Sequence, residues 1–181
     1  MALFVAFIGL GIYLSYEKDI TGKAVAQINT RKLTLADVEG KNLPPSPDQA
    51  ENDATVAGID KNNNGIRDDV ELAIFKKYPN DLKVRAAELQ YAMALQTDIT
   101  LAFNSGSWVA AAYQDSRGYL CIAETYPRTD LKEFTRVTDA RNKEVEKAVF
   151  NTALRQQAKE RFNRLEIGLS LPHSNFCDVN V

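Results

Sequence analysis

The sequence predicts a mainly α fold: a small helical bundle that follows a single acidic loop, with an apolar helix at the N-terminus. Three observations carry this reading. Apolar residues recur at spacings of three and four through most of the chain after residue 68. One stretch alone, "AVAQINTRKLTL" at 24–35, reads as a short strand, and it has no evident partner strand. The first sixteen residues, "MALFVAFIGLGIYLSY", carry no charge.

That opening run falls between a signal-peptide core of about 7–15 apolar residues and a spanning helix of about 20. A globular domain rarely opens with such a run exposed, so residues 1–16 are expected to be membrane-directed, with Tyr13 and Tyr16 suited to the headgroup boundary. A buried core helix is the alternative. Lys18, Lys23, Arg31 and Lys32 follow the run, and a positive-inside count would leave that side in the cytoplasm. The small-residue stretch "AVA" at 24–26 lies too far from the run for cleavage, and no cysteine follows the run to carry a lipid. The expectation is an uncleaved signal anchor in the inner membrane of a cell envelope, with the domain facing the periplasm or exterior.

Residues 17–58 read as a linker with small elements. Thr34 and Asp37 have the spacing of a modest helix start. "NLPPSPDQAEND" is Pro-rich and polar, hence a spacer. The helical domain then occupies 59–181. One helix is expected to leave the acidic loop at Asp68 and run to Lys77. A second runs from Asp81 to Phe103, with Leu82, Ala86, Leu89, Met93 and Phe103 on its apolar stripe. A third runs from Trp108 to Tyr126, with Trp108, Ala112, Tyr119 and Ile122 on its stripe, and Pro127 stops it. A short piece covers 129–137. The longest helix spans Ala140 to Ile167, lined by Phe150, Leu154, Ala158, Phe162, Leu165 and Leu169, with Gly168 at its C-terminal turn.

Composition narrows the function classes. The chain has 181 residues, 45% of them hydrophobic and 25% charged, which suits one packed domain with tails. A formal net charge of -2 argues against a nucleic-acid binder. Basic residues outnumber acidic ones between 128 and 164, the pattern of a solvated helix face. Cys121 and Cys177 are expected to pair if the domain is exported, and to stay reduced in a cytosol-facing adaptor. A bridge over that separation adds at most about 4 kcal/mol and would tether the tail "LPHSNFCDVNV".

The stretch "DKNNNGIRDDVE" at 60–71 carries the chemistry. It matches D-x-[DN]-x-[DN]-G-x5-E throughout, through Asp60, Asn62, Asn64, Gly65 and Glu71. Alternating side chains of a tight loop point inward, and a hard cation such as calcium takes six to eight oxygens at roughly 2.3–2.6 Å. Asp60 would offer a carboxylate, Asn62 and Asn64 amide oxygens, Ile66 its backbone carbonyl, Asp68 a direct or water-borne contact, and Glu71 both carboxylate oxygens. The competing reading is an Asn-Gly turn before an acidic helix start, favoured by the helix dipole without any metal. The stretch resembles an EF-hand calcium loop, and also the loops of thrombospondin type 3 and dockerin-like repeats. With the helices that follow, "NNNGIRDDVE" also resembles small bacterial envelope proteins. The resemblance implies one bound Ca2+. Two departures bear on what that ion does. Arg67 stands where paired EF-hands carry an apolar residue, and the chain holds no second loop. A lone fixed site suits a structural ion, and two neutral ligands imply weak affinity, about 10⁻⁴ to 10⁻³ M.

No nucleophile elbow, phosphate-binding loop or dinucleotide fingerprint occurs, and the single His173 sits in the tail without metal-ligand spacing. The expected role is therefore a membrane-anchored, extracytoplasmic, calcium-binding module that binds or assembles with another protein, not nucleic acid. The alternative is a cell-wall glycan hydrolase drawing an acid–base pair from Glu124, Glu133, Glu144 and Glu160.

Overall fold

A computed structural model describes residues 2–165 and 176–181, with the backbone alone over 2–14. Its helices are α1 (Ala2–Thr30), α2 (Leu35–Glu39), α3 (Gln49–Asp53), α4 (Asp68–Lys77), α5 (Leu82–Leu101), α6 (Ser105–Glu124), α7 (Leu131–Val149) and α8 (Ala153–Arg164). No strand occurs among the described residues. The mainly α fold expected from the sequence is what the chain adopts.

α5 is the centre. Asp81 caps its start, its side chain accepting from the Val84 N–H at 2.9 Å. Every residue from Arg85 to Ile99 is buried, so the helix is enclosed on all sides rather than along one stripe. A polar group in such a place needs a partner inside the protein. Arg85 donates to the carbonyls of Val38 (2.8 Å) and Tyr78 (2.9 Å), fastening α2 and the end of α4. Glu88 accepts from Arg141 of α7 at 2.8 Å. Gln90 donates to the Phe176 carbonyl at 2.6 Å and accepts from the Asp178 N–H at 2.7 Å, fastening the tail. The polar side chains of α5 thus hold its neighbours in register.

α6 lies closest to α5. A Cβ added at Gly118 would meet the Cα of Tyr91 at 2.8 Å, so the two backbones approach as only glycine permits. Cys121 of α6 and Cys177 form a disulfide, with Cα atoms 5.0 Å apart. The expected bridge is present, and it ties the tail to the core.

The expected break between a short helix and a long one after residue 137 is not where the chain breaks. α7 runs unbroken from Leu131 to Val149, and α8 starts anew at Ala153. Thr152 caps α8 by accepting from the Arg155 N–H at 3.3 Å. Phe150 leaves helical geometry, and Arg67 takes up the carbonyls of Ala148 and Val149 that a continued helix would use. Of the expected core stripes, Ala86, Leu89, Met93, Trp108, Ala112, Ile122, Ala158 and Phe162 are buried. Leu82, Phe103, Tyr119 and Leu154 are exposed. Leu82, Phe103 and Leu154 stand at helix ends, where the stripe turns out of the core. Gly168, Leu169 and His173 lie outside the described residues.

α1 corrects the strand expected over 24–35. It stays helical to Thr30, and Ala24 and Ile28 are buried, Ile28 against Trp108, Ala111, Ala112 and Phe162. Among the described residues no helix is long and apolar enough to cross a membrane. The side chains of residues 2–14, on which the anchor expectation rests, are outside the described set. The Pro-rich stretch read as a spacer ends in α3, capped by Asp48, and is drawn onto the body by Arg155. The helix start at Thr34 is a full capping box with Asp37.

Candidate metal centre

The acidic loop is closed at its base and sealed from below. The Asp68 N–H donates to the Ile59 carbonyl at 2.8 Å, joining the loop's entrance to the first residue of α4. Ile66 is buried in the main core cluster, which fixes the loop on the bundle. Gly65 has φ of 87°, in the left-handed region, and sits above Met93. Asn63 also adopts positive φ, a conformation asparagine tolerates better than most residues.

Within this frame Asn62, Asn64 and Glu71 are joined side chain to side chain, and Asp60 and Asp68 accept from backbone N–H groups of the loop. Asp60 accepts from the N–H groups of Asn64 (3.2 Å) and Gly65 (2.9 Å). Asn64 Oδ1 accepts from the Ile66 N–H at 2.8 Å. Asp68 Oδ1 accepts from the Lys61 N–H at 3.0 Å. Glu71 reaches back from α4 and receives the amide groups of Asn62 and Asn64, each at 3.0 Å. Asn62 also donates to the Asn42 carbonyl at 2.9 Å, linking the loop to the segment after α2. The start of α4 explains how Asp68 and Glu71 come to face the loop together: they lie three residues apart, on one side of the first turn.

The electrostatics of the group are unusual for acids. Asp68 is fully buried and Glu71 is 1% exposed. Burial pushes the Glu71 carboxyl up to about 7, against the stabilising bonds from Asn62 and Asn64. Burial also raises Asp68. Its Oδ2 is buried with no hydrogen-bond partner. The Arg31 guanidinium, itself lowered by burial, is favoured by Asp60. Among the described residues no three His, Cys, Asp or Glu side chains form a metal-holding group by themselves. The oxygen-bearing side chains of the loop are of mixed type: the carboxyls of Asp60, Asp68 and Glu71 and the amides of Asn62 and Asn64.

Sequence reasoning missed the residues that brace the loop. Arg67, the departure from the loop pattern, turns away from it and is wholly buried. It pairs with Asp69 at 2.5 Å and donates to the carbonyls of Val149 (2.9 Å) and Ala148 (2.7 Å). Gly58, at φ of 66°, packs so tightly that a Cβ there would meet Arg67 Cδ at 2.3 Å. Arg155 donates to the carbonyls of Asn52, Thr55 and Val56, and pairs with Asp53 at 2.9 Å. Asn52 in turn accepts from the Ile59 N–H at 3.0 Å. Two buried arginines thus clamp the loop's entrance and exit to the α7–α8 elbow. Their signal in the sequence is slight: an arginine where the pattern wants an apolar side chain.

The glutamates weighed for glycan cleavage are spread over α6, α7 and α8 and face solvent. Glu124 pairs with Arg128 (2.6 Å), Glu133 with Arg136 (2.6 Å), and Glu144 with Lys77. No known protein family, curated protein or solved structure matches the chain.

Proposed function

We propose that the loop from Asp60 to Glu71 binds one Ca2+, and that the ion fastens an extracytoplasmic helical domain which binds or assembles with another protein at a membrane. The observation that carries the metal reading is the buried Asp68 Oδ2, an acid oxygen without a donor beside a second buried carboxyl, Glu71. Two desolvated carboxylates close together repel, and a divalent cation offsets both desolvation and repulsion. The donor set fits a hard cation, since every side chain in it offers oxygen and none offers sulfur or imidazole. Asp60, Asp68 and Glu71 would hold the ion by charge. Asn62 and Asn64 would turn their amide oxygens toward it, and Ile66 would add its carbonyl. The ion supplies no reaction here; it holds the loop.

The mechanical consequence follows from the clamps. The loop joins residues 52–59 to α4, and α4 packs on α5. A filled loop stiffens that joint, so calcium acts as a clip on a folded body rather than as an opener of a groove. The Cys121–Cys177 bridge supports an oxidising compartment. The apolar run over residues 1–16 supports membrane attachment, and a sequence without a nucleophile elbow, phosphate-binding loop or dinucleotide fingerprint supports a binding role.

Thermal melting of the full chain tests the metal reading. At calcium about tenfold above a dissociation constant of ~10⁻⁴ M, mass action adds about 1.4 kcal/mol. For a domain this size that raises the midpoint by about 3–6 °C over the chelated protein. A double variant, Asp60→Ala with Glu71→Ala, is expected to melt alike with calcium and with chelator. A wild-type midpoint indifferent to calcium would refute the metal reading. Crosslinking in solubilised membranes, followed by identification of the captured protein, tests the interaction role.

A further inference from the structure

A second acidic group lies inside the bundle, where α5, α6 and α8 meet. Asp98 of α5 is fully buried. Its Oδ2 lies 3.2 Å from Lys159 Nζ of α8, and its Oδ1 is buried with no hydrogen-bond partner. Asp115 of α6, a quarter exposed, faces the same lysine at 3.8 Å from Nζ and lies within hydrogen-bonding reach of Asp98. One ammonium therefore faces two carboxyls. If both were ionised the cluster would carry an unbalanced negative charge in the interior, which is costly. A proton on Asp98 removes that charge and gives its Oδ1 a role as donor toward Asp115. From α7, Glu146 adds a further acid near Asp115 and accepts from Tyr91 of α5 at 2.9 Å. From the end of α1, Arg31 binds Thr97 at 3.3 Å, and its charge interacts with Asp60. α2 and α4 meet α5 at its opposite end, around Arg85. Lys159 itself is held by the rings of Phe150 and Phe162, at 5.4 and 4.7 Å.

We infer that Asp98 and Asp115 share one proton beneath Lys159 and form a pH-sensitive latch that holds α8 against α5 and α6. Burial pushes the Asp98 carboxyl well above the ordinary aspartate range, Asp115 adds to that rise, and Lys159 opposes it. The sign follows. A group whose pKa is raised by folding stabilises the fold fully at low pH, and that contribution is lost as pH rises through the folded value. Acid closes the latch and alkali loosens it. Loosening acts on α8, whose N-terminal turn carries Arg155 and so the clamp on residues 52–56.

Carbon-13 NMR of the full chain labelled at its aspartate carboxyls tests this. One aspartate is expected to titrate well above the ordinary range. That resonance should persist in Asp68→Asn, which removes the buried loop acid, and should move down in Asp115→Asn. Backbone hydrogen exchange gives the mechanical readout. Once corrected for the intrinsic pH dependence of exchange, α8 protection should fall through the same midpoint in wild type and stay flat in Asp98→Asn. Ordinary titration of every aspartate in Asp68→Asn would overturn the proposal. So would a raised aspartate whose titration leaves α8 protection unchanged. If Asp98→Asn does not fold, the wild-type exchange profile and the Asp68→Asn titration still decide.

Discussion

Replacing Arg155 with leucine tests whether the stretch before the loop belongs to the folded body. Arg155 is fully buried and supplies donors to the carbonyls of Asn52, Thr55 and Val56. Leucine fills part of the volume and removes every donor. A buried acceptor left without a donor costs about 1–3 kcal/mol. The bonds to Thr55 and Val56 are 3.3 Å long and count at the low end, while the Asn52 carbonyl counts higher. The pairing with Asp53 adds little, because Asp53 is a third exposed and water screens it. The expected loss is about 3–5 kcal/mol, in the range for removing one partner of a buried charge interaction. Urea denaturation of the full chain in calcium reads it as a lower midpoint. A segment that comes free also lowers the slope, since less surface is then buried in the native state. A loss under about 1 kcal/mol would refute the clamp, because desolvated carbonyls cannot lose their donors so cheaply.

Other consequences are as direct. Gly118→Ala places a methyl 2.8 Å from the Tyr91 backbone and is expected to cost about 1–3 kcal/mol by forcing α5 and α6 apart, read by thermal melting. Reducing the Cys121–Cys177 bridge should lower stability by up to about 4 kcal/mol and raise hydrogen exchange across residues 176–181, where Gln90 holds the tail. In chelator, stability should fall as pH rises through about 7, because folding raises the Glu71 carboxyl to that value and the gain from keeping it protonated is then lost. Glu71→Gln should flatten that part of the profile, measured as urea midpoints across the range.

Much of the fold was legible in the sequence because it rested on local signals. The bounds expected for α4 hold because an acidic first turn and a following Tyr-Pro both act within a few residues. Thr34 and Asp37 announced a capping box, and the two cysteines a bridge. What was not legible depended on partners distant in the chain. Residues 24–35 read as a strand, with Val25, Ile28, Thr30 and Thr34 as its β-branched positions, yet Ile28 stays helical to pack on Trp108. The α7–α8 break follows from Arg67 capturing two carbonyls some eighty positions away. α5 looked one-sided because its buried polar residues counted as solvent-facing, whereas Glu88, Gln90 and Asp98 each meet a partner from another element. At the loop, spacing supplied the ligand candidates. It could not supply Arg155 and Asn52, which brace the entrance from outside the pattern.

Equilibrium dialysis of the full chain against calcium at about 1 mM tests the central claim most directly, at a concentration matched to the affinity class of such loops. One ion retained per chain in wild type, and none in the Asp60→Ala, Glu71→Ala protein, is the expected result. A folded wild-type chain that retains no more calcium than the double variant would contradict the account.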